Sequence, residues 1–216
     1  MKTAVIVGAG RGMGNHIAER FAKEGFRVVL VARQKAALET YVAEFKKRGF
    51  EAHGETADAS ETASLTEAFS RIHKKYGAVD VMVYNAALMQ GGKTTQLTAE
   101  EMMRHFRIDV AGALHCAKEV LPQQLKQGSG TILFTGGMFG VYPNANPDYA
   151  CMSMDKSALR MLAQMMNEEL KVKGIFVGIV NIMGNVGGNE HFAPEHIAEL
   201  YWQLYQERQD FEVFFS

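Results

Sequence analysis

The sequence predicts an α/β fold, a doubly wound parallel sheet of six or seven strands with helices on both faces. Three observations carry that expectation. Short β-branched apolar runs alternate with helical stretches of ten or more residues, the arrangement that right-handed crossovers between parallel strands require. The runs are apolar at successive positions rather than alternate ones, as strands covered on both faces are. The first run, Ala4-Val5-Ile6-Val7, breaks directly into Gly8-Ala9-Gly10-Arg11-Gly12-Met13-Gly14, where small residues let the backbone turn sharply before a helix. A chain of 216 residues, 47% hydrophobic and 22% charged, is long enough to bury one core. No linker, repeat or low-complexity segment divides it, so residues 1–216 are expected to form a single domain.

After the first strand the chain is helical over residues 13–24. Arg27–Ala32 is the second strand. Leu38, Tyr41, Val42 and Phe45 recur at helical spacing, which predicts a helix over 34–48 that Gly49 stops. A weaker third strand, 50–55, precedes Asp58-Ala59-Ser60, and Ser60 is the expected N-cap of a helix running to Tyr76. Residues 79–83 form the fourth strand and lead into Tyr84-Asn85-Ala86-Ala87. A polar loop then gives way to one long helix over 99–127, with Pro122 inside it as a candidate bend. Residues 131–135 form the fifth strand, closed by Gly136-Gly137. A loop with Pro143 and Pro147 leads to a helix over 149–172, and 175–180 is the sixth strand. Pro194 opens a last helix through Gln209, after which residues 211–214 read equally as an edge strand or a tail.

Composition excludes several classes of partner. A net charge of −1 offers no electrostatic case for nucleic acid or an anionic membrane. No apolar stretch approaches the ~18 residues of a membrane span, and the N-terminus runs straight into a core strand, so a cytoplasmic protein is expected. Cys116 and Cys151 fall in helical stretches and are expected to be reduced packing residues; the seven histidines show no ligand spacing, so no metal is expected.

Ligands of such sheets bind at the carboxyl ends of the strands. There the helix at 13–24 aims its free N–H groups and positive dipole end at the turn, a site for a phosphate cradled by Gly8, Gly10, Arg11, Gly12, Met13 and Gly14. Arg33 stands at the end of the second strand, where a carboxylate would take the ribose hydroxyls of NAD. Its forked guanidinium suits a 2′-phosphate, and Arg11 adds a second cation on the same side, so the expected cofactor is NADP.

The spacing of Gly8, Gly12 and Gly14, G-x-x-x-G-x-G, resembles the short-chain dehydrogenase/reductase family, whose ordinary members have a Thr where Val7 stands. The resemblance runs from Val5 to about Arg208 and implies a Rossmann-type sheet. It also implies that Asp58 lies against the adenine and that Asn85 and Ala86, in a degenerate N-A-G motif ending in Ala87, hold the adenosine side. A homodimer or homotetramer through the two long helices is implied as well.

Lys156-Ser157-Ala158-Leu159 matches the family's helix after its Tyr-x-x-x-Lys pair, which serves hydride transfer between the nicotinamide and a small carbonyl or alcohol. Lys156, on the cofactor and catalytic sides alike, is retained. The tyrosine position, however, holds Met152, and a thioether cannot donate a proton. Gly137 occupies the family's serine position and Asp109 its asparagine position. Two readings follow. In the first, the protein is an atypical oxidoreductase: Tyr149, seven residues before Lys156, shares its face if the helix begins that early, and Thr135 supplies the missing hydroxyl from the face of Gly137. In the second, the fold binds NADP with little or no catalysis and acts as a regulatory or binding module. On either reading, Asp109 is expected beside Lys156 on facing helices, in position to pair with its ammonium. The segment after the sixth strand, Asn181-Ile182-Met183-Gly184, lacks the family's proline and leaves only a short lid before Pro194.

Overall fold

A computed structural model describes all residues 1–216. Seven parallel strands form one sheet in the order β3-β2-β1-β4-β5-β6-β7: β1 (Thr3–Val7), β2 (Arg27–Ala32), β3 (Ala52–Thr56), β4 (Val81–Tyr84), β5 (Gly130–Thr135), β6 (Ile175–Ile182) and β7 (Glu212–Phe215). The order reverses between β1 and β4, whose registers pair Val7 with Tyr84. That switch point opens a crevice at the strands' carboxyl ends.

Helices cover both faces. On one lie α3 (Thr62–Tyr76), α5 (Gly112–Gln127) and α6 (Ala150–Leu170), which with Val5, Val7, Met82 and Phe134 build one core layer. On the other lie α1 (Met13–Lys23), α2 (Lys35–Lys47) and α7 (Pro194–Glu207), packed on Ala4, Ile6, Val83 and Leu133. Alternate residues of each central strand thus feed opposite layers, the physical reason for their unbroken apolar runs. No helix is long and apolar enough to cross a membrane.

Several expected boundaries move. Ser60 does not cap α3, whose N-cap is Glu61. The Ser60 hydroxyl and N–H both donate to Asp58 Oδ1 (2.7 and 2.9 Å), an Asx turn that uses the group a cap would need. The long helix at 99–127 is not one α-helix. It consists of α4 (Ala99–Phe106), capped by a Thr98–Glu101 capping box, then a π-turn over Arg107–Ala111, then α5. Tyr84, at the end of β4, donates its hydroxyl to the Ile108 carbonyl, and a Cβ on Gly112 would lie 2.7 Å from Ala59 O. An intruding side-chain donor and a close backbone approach widen the helix at this turn. The C-terminal residues settle as an edge strand, β7, parallel to β6 with Glu212 opposite Ile179. The bidentate Arg160–Glu212 pair ties β7 to α6.

Candidate active site

The glycine turn after β1 needs its glycines for distinct reasons. Gly8 has φ +91°, and a Cβ there would lie 2.7 Å from Ala86 Cα, because the turn presses against the end of β4. A Cβ on Gly14 would lie 2.8 Å from Ala9 Cα, so this residue lets α1 lean on the turn. Gly10 and Gly12 face free space, where a ligand can approach the backbone. Gly12 caps α1 with no side-chain hydrogen bond, which leaves the first N–H groups for an anion. Met13 is buried in the core behind the turn, so only its backbone can serve a ligand.

Beside the turn lies a cavity of about 310 Å³ that includes Gly8, Ala9, Arg33, Asp58, Asn85 and Ala86. Arg33 is exposed on its rim and enters no ion pair within 4.0 Å. Burial pushes the Asp58 carboxyl up, but hydrogen bonds from Ser60 and the charge of Arg33 prevail and hold it below its ordinary value. Arg11 is less free than the sequence suggested. Its guanidinium pairs with Glu44 on α2 at 2.9 Å and sits over the Tyr41 ring, so it must leave that exposed pair to meet a phosphate.

Asn85 joins three strand ends: its Nδ2 donates to Gly8 O (3.0 Å), and its Oδ1 accepts from Thr135 Oγ1 (2.9 Å). The Thr135 hydroxyl also meets the Tyr201 hydroxyl of α7 at 2.8 Å. Thr135 is therefore not placed as a serine substitute: its oxygen is spent between Asn85 and Tyr201. The two-residue rule that put it on the face of Gly137 fails because β5 ends at Thr135 itself.

Lys156 is buried, and its Nζ donates to the Thr135 carbonyl at 2.8 Å. Burial pulls its pKa down, while Asp109 and Asp155 pull it back up. Asp109 sits across from it on the π-turn and accepts from Leu88 N at 2.7 Å. The two groups feel each other's charge, but no ion pair forms within 4.0 Å. The expected direct pairing is thus replaced by a bond from the backbone of the loop after β4. Met152 is buried one helical turn before Lys156 and offers no proton.

Tyr149 is the N-cap of α6, with φ −130° and ψ 49°, so the helix does not begin early enough to carry it onto the face of Lys156. Instead its ring stacks on Phe139 at 5.1 Å, and its backbone bridges Gly92. Two residues that the sequence did not single out join Asp109: Asp155 and His105, both buried. One nitrogen or oxygen of each lies within 4.8 Å of the others. The signal available in the sequence was His105-x-x-x-Asp109, one helical turn apart, and a carboxylate next to Lys156 on the inward face of α6.

The glycine turn, the cavity beside it and the strand ends around Asn85 have the frame of a dinucleotide site at the switch point of a parallel sheet. The family model for short chain dehydrogenase matches residues 2–186, and the chain belongs to that family. A putative ketoacyl reductase of Streptomyces coelicolor is 34% identical over 145 residues, 65% of this chain and 56% of that protein, so the chain spans little over half of that relative. A 3-oxoacyl-[acyl-carrier-protein] reductase of Staphylococcus epidermidis is 29% identical over 83% of this chain and 73% of its own length. Among solved structures, a variant of actinorhodin polyketide ketoreductase with NADPH superposes with a TM-score of 0.91 at 25% identity, covering 99% of this chain and 95% of the other.

Proposed function

We propose that this protein is an NADP-dependent oxidoreductase that passes a hydride between the nicotinamide and a small carbonyl or alcohol, with 3-oxoacyl thioesters the first substrates to test. The observation that carries the cofactor reading is Arg33, an unpaired guanidinium on the rim of the cavity beside Gly8 and Asp58, with no carboxylate at the strand end to hold a ribose hydroxyl. The ketoreductase neighbour solved with NADPH supports the same choice. Lys156 holds the carbonyl end of β5 close to the crevice, where the reacting centre would sit.

Titration of NADPH and NADH, followed by nicotinamide fluorescence, tests the reading directly. NADPH is expected to bind at least tenfold tighter, and Arg33→Ala is expected to remove most of that preference, since a hydrogen bond to a charged group is worth about 1.5–3 kcal/mol. Equal affinities in the native protein would sink it. NADPH binding with no oxidation by any thioester, aldehyde, ketone or quinone would favour the non-catalytic binding module, for which the buried Met152 and the occupied Thr135 hydroxyl speak.

The assembly we infer is a homodimer or homotetramer. Met102, Met103 and Phe106 on α4 and Met161 and Met165 on α6 are large apolar side chains left exposed on the two long helical segments, the kind of surface a second copy of the chain would cover. A cytoplasmic location accords with two unpaired cysteines, Cys116 and Cys151.

A further inference from the structure

His105 on α4, Asp109 on the π-turn and Asp155 on α6 are 4%, 1% and 1% exposed. His105 Nδ1, Asp109 Oδ2 and Asp155 Oδ2 have no hydrogen-bond partner. These three residues converge within 4.8 Å, and no cation bridges either carboxylate. Lys156 follows Asp155 directly in α6 and lends its Nζ to the Thr135 carbonyl instead. His105 and Cys151 also line a second pocket, of about 270 Å³, whose other walls include the exposed Glu101 and Arg104. The cluster thus lies between Lys156 on its inner side and solvent on its outer side.

Two carboxylates this close, with Lys156 near but no cation in ion-pair contact with either, do not both stay ionised in a buried site. Burial pushes the Asp109 carboxyl up as well, but Asp109 has what favours the anion, the charge of Lys156 and a bond from the Leu88 N–H at 2.7 Å, so of the two it is the better placed to ionise. Asp155 keeps the proton: burial first, then the Asp109 charge, carries its pKa up to about 7. The groups that face it are His105 from α4, Asp109 from the π-turn, and Lys156 and Cys151 from α6. Cys151 is itself pushed up by burial and by Asp155, so it stays a thiol.

We infer that Asp155 and His105 form a proton store behind Lys156, which replaces the tyrosine missing at Met152. The inference rests on the oxidoreductase reading and says where its proton comes from. In the direction of reduction, a bound NADPH would supply the hydride to the carbonyl carbon, and the Lys156 ammonium would give the proton to the carbonyl oxygen. Lys156 then recovers the proton from the Asp155 carboxyl, whose Oδ2 has no other partner, by way of a bridging water that the step requires. Asp155 is refilled from solvent through His105. One hydride and one proton are consumed for each carbonyl reduced. Asp155 and His105 act through Lys156, so they are positioning residues.

The test is NADPH oxidation with acetoacetyl thioester and 9,10-phenanthrenequinone from pH 5 to 9 in the native protein, Asp155→Asn and His105→Gln. The native kcat should fall as pH rises through about 7. Asp155→Asn should lose about 10²-fold in kcat and that pH limb, with KM and NADPH affinity unchanged. His105→Gln should slow kcat with a larger solvent deuterium effect, and added imidazole should restore part of the rate of His105→Gly. A structural role alone would move neither the pH limb nor the isotope effect. Asp155→Asn is expected to melt no lower than the native protein above pH 7, because it removes a buried charge, so poor folding would not explain the loss. The inference falls if Asp155→Asn keeps the native rate and pH profile while Tyr149→Phe abolishes turnover; the oxidoreductase reading then survives. It falls also if a chelator stops the reaction, which would put a cation rather than a proton among the three atoms. Absence of turnover in the native, NADPH-bound protein would remove the oxidoreductase reading and the store with it.

Discussion

At Glu19 a bidentate bond from Arg48, at 2.6 and 2.8 Å, fixes α1 to the residue that closes α2. That bond, opposed by burial and helped by Lys23, holds the Glu19 carboxyl down from 4.5 to about 2. The folded pKa lies below the unfolded one, so the pair's stabilisation is present above about pH 4.5 and is lost as pH falls toward 2. Arg48 is half exposed, so solvent screening limits the effect to about 1 kcal/mol. Glu19→Gln should lower stability by about that much at pH 7, read by urea unfolding, and by nothing near pH 2. Equal losses at both pH values would show that packing, not charge, matters at Glu19. Asn85 shows why single residues were only partly legible. Its place after β4 was visible in the sequence, but its partners, Gly8 and Thr135, are 77 and 50 residues away and meet it only when three strand ends align.

Helix α6 carries Met152 where the family resemblance leads one to expect a tyrosine. Met152 and Lys156 are a helical turn apart, and both are buried, so Met152→Tyr should set a phenol beside the ammonium. Burial and the Lys156 charge compete over that phenol, and the outcome is expected above pH 7, where Asp155 has lost its proton. We expect the variant to reduce carbonyls about tenfold faster than the native protein at pH 8.5, with a smaller gain at pH 6, within the range a positioned general acid supplies. No gain at either pH would mean that the carbonyl does not sit above Met152. The start of the same helix limited the sequence reading. A spacing of seven from Tyr149 to Lys156 makes two turns only if both are helical, and the chain bends out of helix at Tyr149 to bridge Gly92. The break at residues 107–111 was equally hidden, since its causes, a hydroxyl from β4 and the close approach of Ala59 to Gly112, come from outside the helix.

Across the whole molecule, the exposed methionines of α4 and α6 make a continuous test of assembly. Met161 and Met165 are 53% and 57% exposed and stand one turn apart. Met161→Glu with Met165→Glu should convert the assembly to monomers, as light scattering would read, while melting stays within about 1 kcal/mol of native stability if the face is solvent-exposed in the monomer. A native protein that already elutes as a monomer would remove the dimer. What the sequence alone determined are features carried by neighbours along the chain: the alternation of strand and helix, the glycine turn that opens α1, the cation at the end of β2, and a thioether at Met152 four residues before Lys156. Each follows from local backbone preference or from one side chain's chemistry at a known place in the repeat. Tertiary structure alone decided which polar groups were already spent and which stayed unpaired. It turned the Thr135 hydroxyl to Tyr201, drew Arg11 to Glu44, and paired β7 with β6. It also brought His105, Asp109 and Asp155 from two helical segments to one buried point. The physical reason is the same in each case: a hydrogen bond or a charge interaction acts across a few ångströms of space, and sheet closure sets those distances between residues far apart in the chain.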